Sequence, residues 1–143
     1  MPRVRIVPPA TTTSAYLRVK RVRRTGERSQ IVFVVKQLAS HSTIIFQTSD
    51  ATWEAYNSYG GNSLYTGDGS LPDGRAYKVS YNRPYDTGFT LPTSWVMNNE
   101  FPMIKFLEKN GYDVSYTTSA DVDADTGGTL LKNHKVFMSV GHE

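Results

Sequence analysis

Apolar and polar positions alternate along two stretches near the start of the chain. Residues 14–22 (Ser-Ala-Tyr-Leu-Arg-Val-Lys-Arg-Val) and 29–36 (Ser-Gln-Ile-Val-Phe-Val-Val-Lys) are rich in β-branched side chains and are joined through Arg24-Thr25-Gly26-Glu27. Two period-two runs with a short glycine-containing connection predict a β-hairpin. The compact apolar run Thr43-Ile44-Ile45-Phe46-Gln47-Thr48 predicts a buried strand. Further on, the alternation of Ala76-Tyr77-Lys78-Val79-Ser80-Tyr81 predicts a strand within a long Gly, Pro and Asp-rich connection. The spacing of Phe101, Ile104 and Leu107 predicts a helix over 98–110, with Asn98 or Asn99 as cap, Pro102 in the first turn and Gly111 as its stop. Tyr112–Tyr116 and Lys135–Val140 read as strands, and Thr129–Asn133 as one helical turn.

Strands alternating with crossovers of this length imply parallel pairing, and so an α/β fold. The composition shift near residues 37–42 divides the chain into 1–40, a turn-rich leader and hairpin belonging to an upstream β domain, and 41–143, the α/β part. A chain of 143 residues is long enough to bury a sizeable core.

Charge changes the picture at one place. Residues 1–28 hold eight of the sixteen Lys and Arg (Arg3, Arg5, Arg18, Lys20, Arg21, Arg23, Arg24, Arg28) against Glu27 alone. A basic segment of this kind suits nucleic acid or another anionic partner. The alternation of Arg18 and Lys20 with Leu17 and Val19 equally suits a half-buried strand with a solvated basic face, and that reading predicts no nucleic-acid partner. No apolar stretch approaches the roughly 18 residues of a membrane span, so no membrane partner is expected. With no cysteine, disulfides, thiolate metal sites and a cysteine nucleophile are excluded, while either redox compartment remains open.

Candidate chemistry concentrates after the first buried strand. Thr52-Trp53-Glu54-Ala55-Tyr56-Asn57 and Gly60-Gly61-Asn62-Ser63-Leu64-Tyr65 combine aromatics, amides and glycines in a segment too polar for an ordinary core. It reads as a loop at the carboxyl end of a strand, where open α/β sheets bind ligands, with Tyr56 and Asn57 exposed in the crevice. The same aromatics also suit a lid over the core. Asp121-Val122-Asp123-Ala124-Asp125-Thr126-Gly127 imitates a calcium loop, but its glycine falls one place late and Lys132 stands where a bidentate glutamate is needed. Gly141-His142-Glu143 puts an imidazole after a strand, where it could move protons or simply hydrogen-bond in a loop. Nine tyrosines with few histidines make phenolate and carboxylate oxygens the available metal donors, a hard set suited to ferric iron.

Six ordered motifs carry a resemblance: Thr-Trp-x-Ala-Tyr-Asn; Gly-Gly-Asn-Ser-Leu-Tyr; Arg75 through Pro84; Glu100-Phe101-Pro102-Met103; Gly111 through Tyr116; and His134 through Gly141-His142. Together they resemble the C-terminal domain of the N,N-dimethylformamidase large (beta) subunit, over roughly residues 14–143. The resemblance implies a parallel-sheet α/β domain like the class I glutamine amidotransferases, and iron held by two tyrosines and a glutamate that assists hydrolysis of a small amide C–N bond. Carried onto this chain, the metal tyrosines are Tyr56 and Tyr16, Trp53 and Asn57 bind substrate, and His142 is catalytic. Ser14 departs from the glycine of the family's Ser-Gly-x-Tyr, and Glu143 occupies the variable place of Gly-His-x-Glu. These departures imply a truncated domain whose glutamate ligand lies further along, inactive by itself. Its expected partners are a small amide, the remainder of its own domain, and a small subunit or further copies. The competing expectation is a noncatalytic binding or surface module that uses the same crevice and the basic strand face.

Overall fold

The computed structural model describes residues 15–22, 28–37, 39–84 and 96–141; within them the side chains of 15–22, 28–31 and Met97 are left aside. The alternating N-terminal runs form the expected antiparallel pair, β1 (Ala15–Val22) and β2 (Arg28–Val35), with Ala15 opposite Val35 and Val22 opposite Arg28. The connection at 23–27 lies outside the described residues.

The second sheet is parallel. Strands β3 (Ile44–Thr48), β4 (Val114–Thr118) and β5 (Val136–Met138) lie in the order β4-β3-β5. All five residues of β3 are buried, as a central parallel strand covered on both faces requires. Helix α1 (Asp50–Tyr56) follows β3, α2 (Phe101–Lys109) precedes β4, and the short α3 (Ser119–Ala124) and α4 (Thr129–Lys132) lie between β4 and β5. Ile44 and Phe46 from one face of β3 join Trp53, Val96, Ile104, Leu107 and Tyr116 in the core, with Phe46 edge-on to Tyr116 at 5.9 Å. Val32 and Val34 of β2 pack against this cluster, so the hairpin shares apolar contact with the α/β core.

Helix α2 starts later than its spacing suggests, because Val96–Glu100 form a π-helical turn ahead of it. Its end is as expected: Gly111 takes φ 71°, while its N–H bonds the Glu108 carbonyl and that of Tyr112 the Leu107 carbonyl. The Thr52–Asn57 segment, expected as a loop, is largely helix α1; its backbone closes through Trp53 N–H to Ser49 O and Asn57 N–H to Trp53 O, both 3.0 Å. Residues 76–81 are not a strand. Alternation alone cannot make one without a neighbouring edge, and Tyr77 is left 83% exposed. The acidic stretch 121–124, part of the segment that imitates a calcium loop, belongs to α3. Thr118 caps that helix, its hydroxyl accepting the Asp121 N–H at 3.1 Å.

The strand order marks the place where open α/β sheets bind ligands. From β3 the chain crosses to β4 on one side, then returns past β3 to β5 on the other. Where successive connections leave a sheet in opposite directions, the carboxyl ends of the two strands involved border an open cleft. Here those ends are Ser49, after β3, and Ser139–Gly141, after β5.

Candidate functional site at the carboxyl ends of the parallel strands

Ser49 is the junction. Its hydroxyl donates to the Val140 carbonyl at 3.0 Å, tying the ends of β3 and β5, and its N–H donates to Glu100 Oε1 at 2.7 Å. The same Oε1 accepts the Trp53 indole N–H at 3.0 Å. Glu100 is 1% exposed, and its second oxygen, Oε2, is buried with no hydrogen-bond partner. Burial pushes this carboxyl up to about 8, against the lowering pull of the donors from Ser49 and Trp53. Burial thus favours the neutral form of this carboxyl, with Oε1 accepting both N–H groups.

The β4 end is tied in separately. Asp50 Oδ1 accepts the Ser119 N–H at 2.6 Å and the Thr48 hydroxyl at 3.0 Å, and the Ser119 hydroxyl donates to Thr48 O at 2.9 Å. Above Asp50 stands Tyr81, whose phenol is raised first by burial and then by the negative charges of Asp50, Glu54 and Asp123.

Arg83 straps the glycine-rich loop onto α1. Its Nε donates to Glu54 Oε2 at 2.9 Å and Nη2 to the Glu54 carbonyl at 2.6 Å, while Nη1 reaches the Tyr59 and Asn62 carbonyls at 3.2 and 3.1 Å. Loop and helix also meet directly through Leu64 N–H to Ala55 O at 2.9 Å. Within the loop, Gly74 takes φ 68°, and a Cβ there would overlap the Gly67 carbonyl, so close backbone approach demands glycine. The strap brings Tyr65 onto Tyr56, rings stacked at 4.1 Å and 14°. The hydrogen bond between the Tyr56 and Tyr65 hydroxyls is the main cause that raises the Tyr56 phenol, burial being second.

Of the residues singled out from sequence, Tyr56 is half-buried at the end of α1, whereas Trp53 and Asn57 are 7% and 2% exposed and point inward. Asn57 donates to Pro84 O at 2.9 Å and accepts the Tyr59 N–H at 3.2 Å. Tyr16 lies in β1 opposite Val34, with its side chain outside the described residues, as is all of His142. The structure therefore brings Trp53, Tyr56 and Asn57 together on α1 and its cap. Sequence reasoning passed over Glu100, Ser49, Glu54 and Arg83. Glu100 and Arg83 each lay within a motif of the resemblance without an assigned role, Glu54 occupies the unspecified place of its motif, and Ser49 carried no signal.

The polar cluster lies at the carboxyl ends of a small parallel sheet in a mixed α/β protein. The particular family follows from comparison: a family model described as N,N-dimethylformamidase beta subunit-like, C-terminal, matches residues 2–143, and the chain belongs to that family. No curated protein and no solved structure matches it. Among the described residues, no group of three or more His, Asp or Glu could hold a metal ion, and no helix is long and apolar enough to cross a membrane. A tyrosine-based ligand set is of another kind. Tyr56 fits it as a hard oxygen donor on a rigid element, but its raised phenol must lose a proton to become one.

Proposed function

We propose that the chain is part of an amidase-like hydrolase domain that binds a small amide in the crevice beyond the carboxyl ends of β3 and β5. The observation that carries this reading is the buried Glu100, anchored to Ser49 and Trp53 where the strand order reverses. Family membership agrees with a hydrolase of this type, though a fold supports a reaction only through its site. Glu100, through Ser49 and Trp53, sets the floor of the cleft and the path of the chain leaving β5. Trp53 and Asn57 act from beneath, fixing α1 and the loop that carries Tyr65. The resemblance assigns proton transfer to His142, which follows Gly141 in the chain. Iron, where bound, would be held by Tyr56 and Tyr16 and would supply Lewis acidity toward the amide carbonyl.

The test is exposure of the folded protein to ferric iron. A visible phenolate-to-iron charge-transfer band that Tyr56→Phe abolishes supports the reading, as does saturable binding of N,N-dimethylformamide that shifts the amide signals of Ser49 and Gly141. A folded protein with neither response overturns it and favours a noncatalytic binding module.

A further inference from the structure

Two hydrogen bonds in series run from a buried carboxyl group to the chain that leaves β5. Glu100 Oε1 accepts the Ser49 N–H at 2.7 Å, and the Ser49 hydroxyl donates to the Val140 carbonyl at 3.0 Å. The next residue, Gly141, takes φ 95°, so the exit turns at a position that favours glycine. Met138 and Val140 also pack against the core cluster that contains Trp53, whose indole N–H shares Glu100 Oε1. The path from Glu100 to the residues after β5 is therefore short, and each of its links is a single contact that a substitution can cut.

Ionisation of Glu100 changes what this place requires. Its Oε2 is buried without a hydrogen-bond partner, which a neutral carboxyl group tolerates far better than a carboxylate. From α1 it meets the negative charge of Asp50, which opposes ionisation, and the Trp53 N–H; from the end of β3 it meets Ser49, and behind Ser49 stands the uncharged Val140 carbonyl of the β5 exit. Among the described residues no cation acts on it, whereas Glu54 has Arg83. Once ionised, the carboxylate must gain water, and one of its covers must move. Helix α1 is held by Arg83 on Glu54 and by Asn57 on the Pro84 carbonyl, and β3 is the central strand. Strand β5 has three residues and lies at the edge of the described sheet, so its exit is the cover that moves at least cost.

We propose that Glu100, Ser49 and Val140 form a pH-operated latch at the strand ends: a protonated Glu100 keeps the β5 exit closed down on β3, and loss of that proton frees the exit and admits water beneath it. The latch regulates the site assigned to the strand ends and rests on that reading for its purpose; its test uses neither iron nor an amide, so the two fail separately. Burial, which pushes this carboxyl up, brings its ionisation within a titration of the folded protein. The test is carbon NMR of the whole chain, following the Glu100 side-chain carboxyl and the Val140 methyls from about pH 5 to about pH 10. The two signals are expected to move with one shared midpoint above the ordinary carboxylate range. Glu100→Gln keeps an acceptor for Ser49 and Trp53, and in it the Val140 signal is expected to stand still over the same range. In Ser49→Ala, which removes the bond to Val140 alone, Glu100 is expected to titrate while the Val140 response falls by about half or more. A Glu100 midpoint in the ordinary range, a Val140 signal that ignores that midpoint, an equal Val140 titration in folded Glu100→Gln, or an undiminished response in folded Ser49→Ala overturns the proposal.

Discussion

Two glutamates, each 1% exposed and each with one unpartnered oxygen, are buried by different means. Glu54 faces the guanidinium of Arg83, which also gathers three backbone carbonyls. Glu100 is held by N–H donors from Ser49 and Trp53, with the negative charge of Asp50 near it. A buried carboxyl group must either have a cation or take a proton, and this protein uses one solution for each region. The strap region is consequently held by charge, and breaking its pair strands an ion in the interior. The floor region is held by a protonatable group, and its stability is tied to pH.

The largest effect is expected from Arg83→Met, which leaves Glu54 buried opposite no cation and frees the Tyr59 and Asn62 carbonyls. Loss of about 3–5 kcal/mol in chemical denaturation is the expected outcome, largely restored by adding Glu54→Gln. If Arg83→Met costs less than about 1 kcal/mol, the strap is a surface contact and the contrast with Glu100 fails.

Next comes the pH dependence of the floor. The folded Glu100 carboxyl, at about 8, keeps its proton over a range in which the unfolded chain, near 4.5, has lost it. Folding takes up a proton there, so stability contributed by this group is full at low pH and falls as pH rises from about 4.5 to about 8. Glu100→Gln, neutral at every pH, is expected to flatten the decline by an amount on the order of a few kcal/mol, read as the difference between urea midpoints at the two ends of that window. An identical pH profile in the variant would show that Glu100 is ionised in the folded state.

A smaller effect is expected at Tyr56→Phe, which keeps the stack on Tyr65 and removes only the hydroxyl. The cost in stability should be about 1 kcal/mol or less, because the ring is half-buried. A loss of several kcal/mol would mean that Tyr56 belongs to the strap rather than resting on it. Smallest of all should be the affinity of the basic hairpin for DNA: weak, lost as salt is raised, and unaffected by Arg83→Met. Tight binding at physiological salt would make the N-terminal strands a third functional region.

The buried strand at 44–48, the hairpin pairing and the stop of α2 at Gly111 were legible in the chain because each rests on local chemistry: apolar runs, period-two alternation, and a residue free to take positive φ. The motifs around Trp53, Tyr56 and Asn57 were legible too, and through them the family. The local signal misled where partners were distant. Residues 52–57 have mediocre helix formers, yet become α1 because Trp53 is anchored to Glu100, 47 positions away, and the Glu54 carboxylate to Arg83, 29 away. Residues 76–81 alternate as a strand should but find no edge to pair with. The helix α3 left a readable sign in Thr118-Ser119-Ala120-Asp121, a capping pattern overshadowed by its resemblance to an acidic loop.

The amino-acid order thus determined the buried strand at 44–48, the hairpin strands, where α2 ends and which family the chain belongs to, since those depend on neighbours along the backbone and on motif spacing. Only the tertiary structure decided that the strands run in the order β4-β3-β5, that Ser49 joins the ends of β3 and β5, and that one buried glutamate meets an arginine while burial raises the other's pKa. The reason is physical: burial and hydrogen-bond partnership are properties of where side chains meet in space, and the charge state of a carboxyl group depends on both.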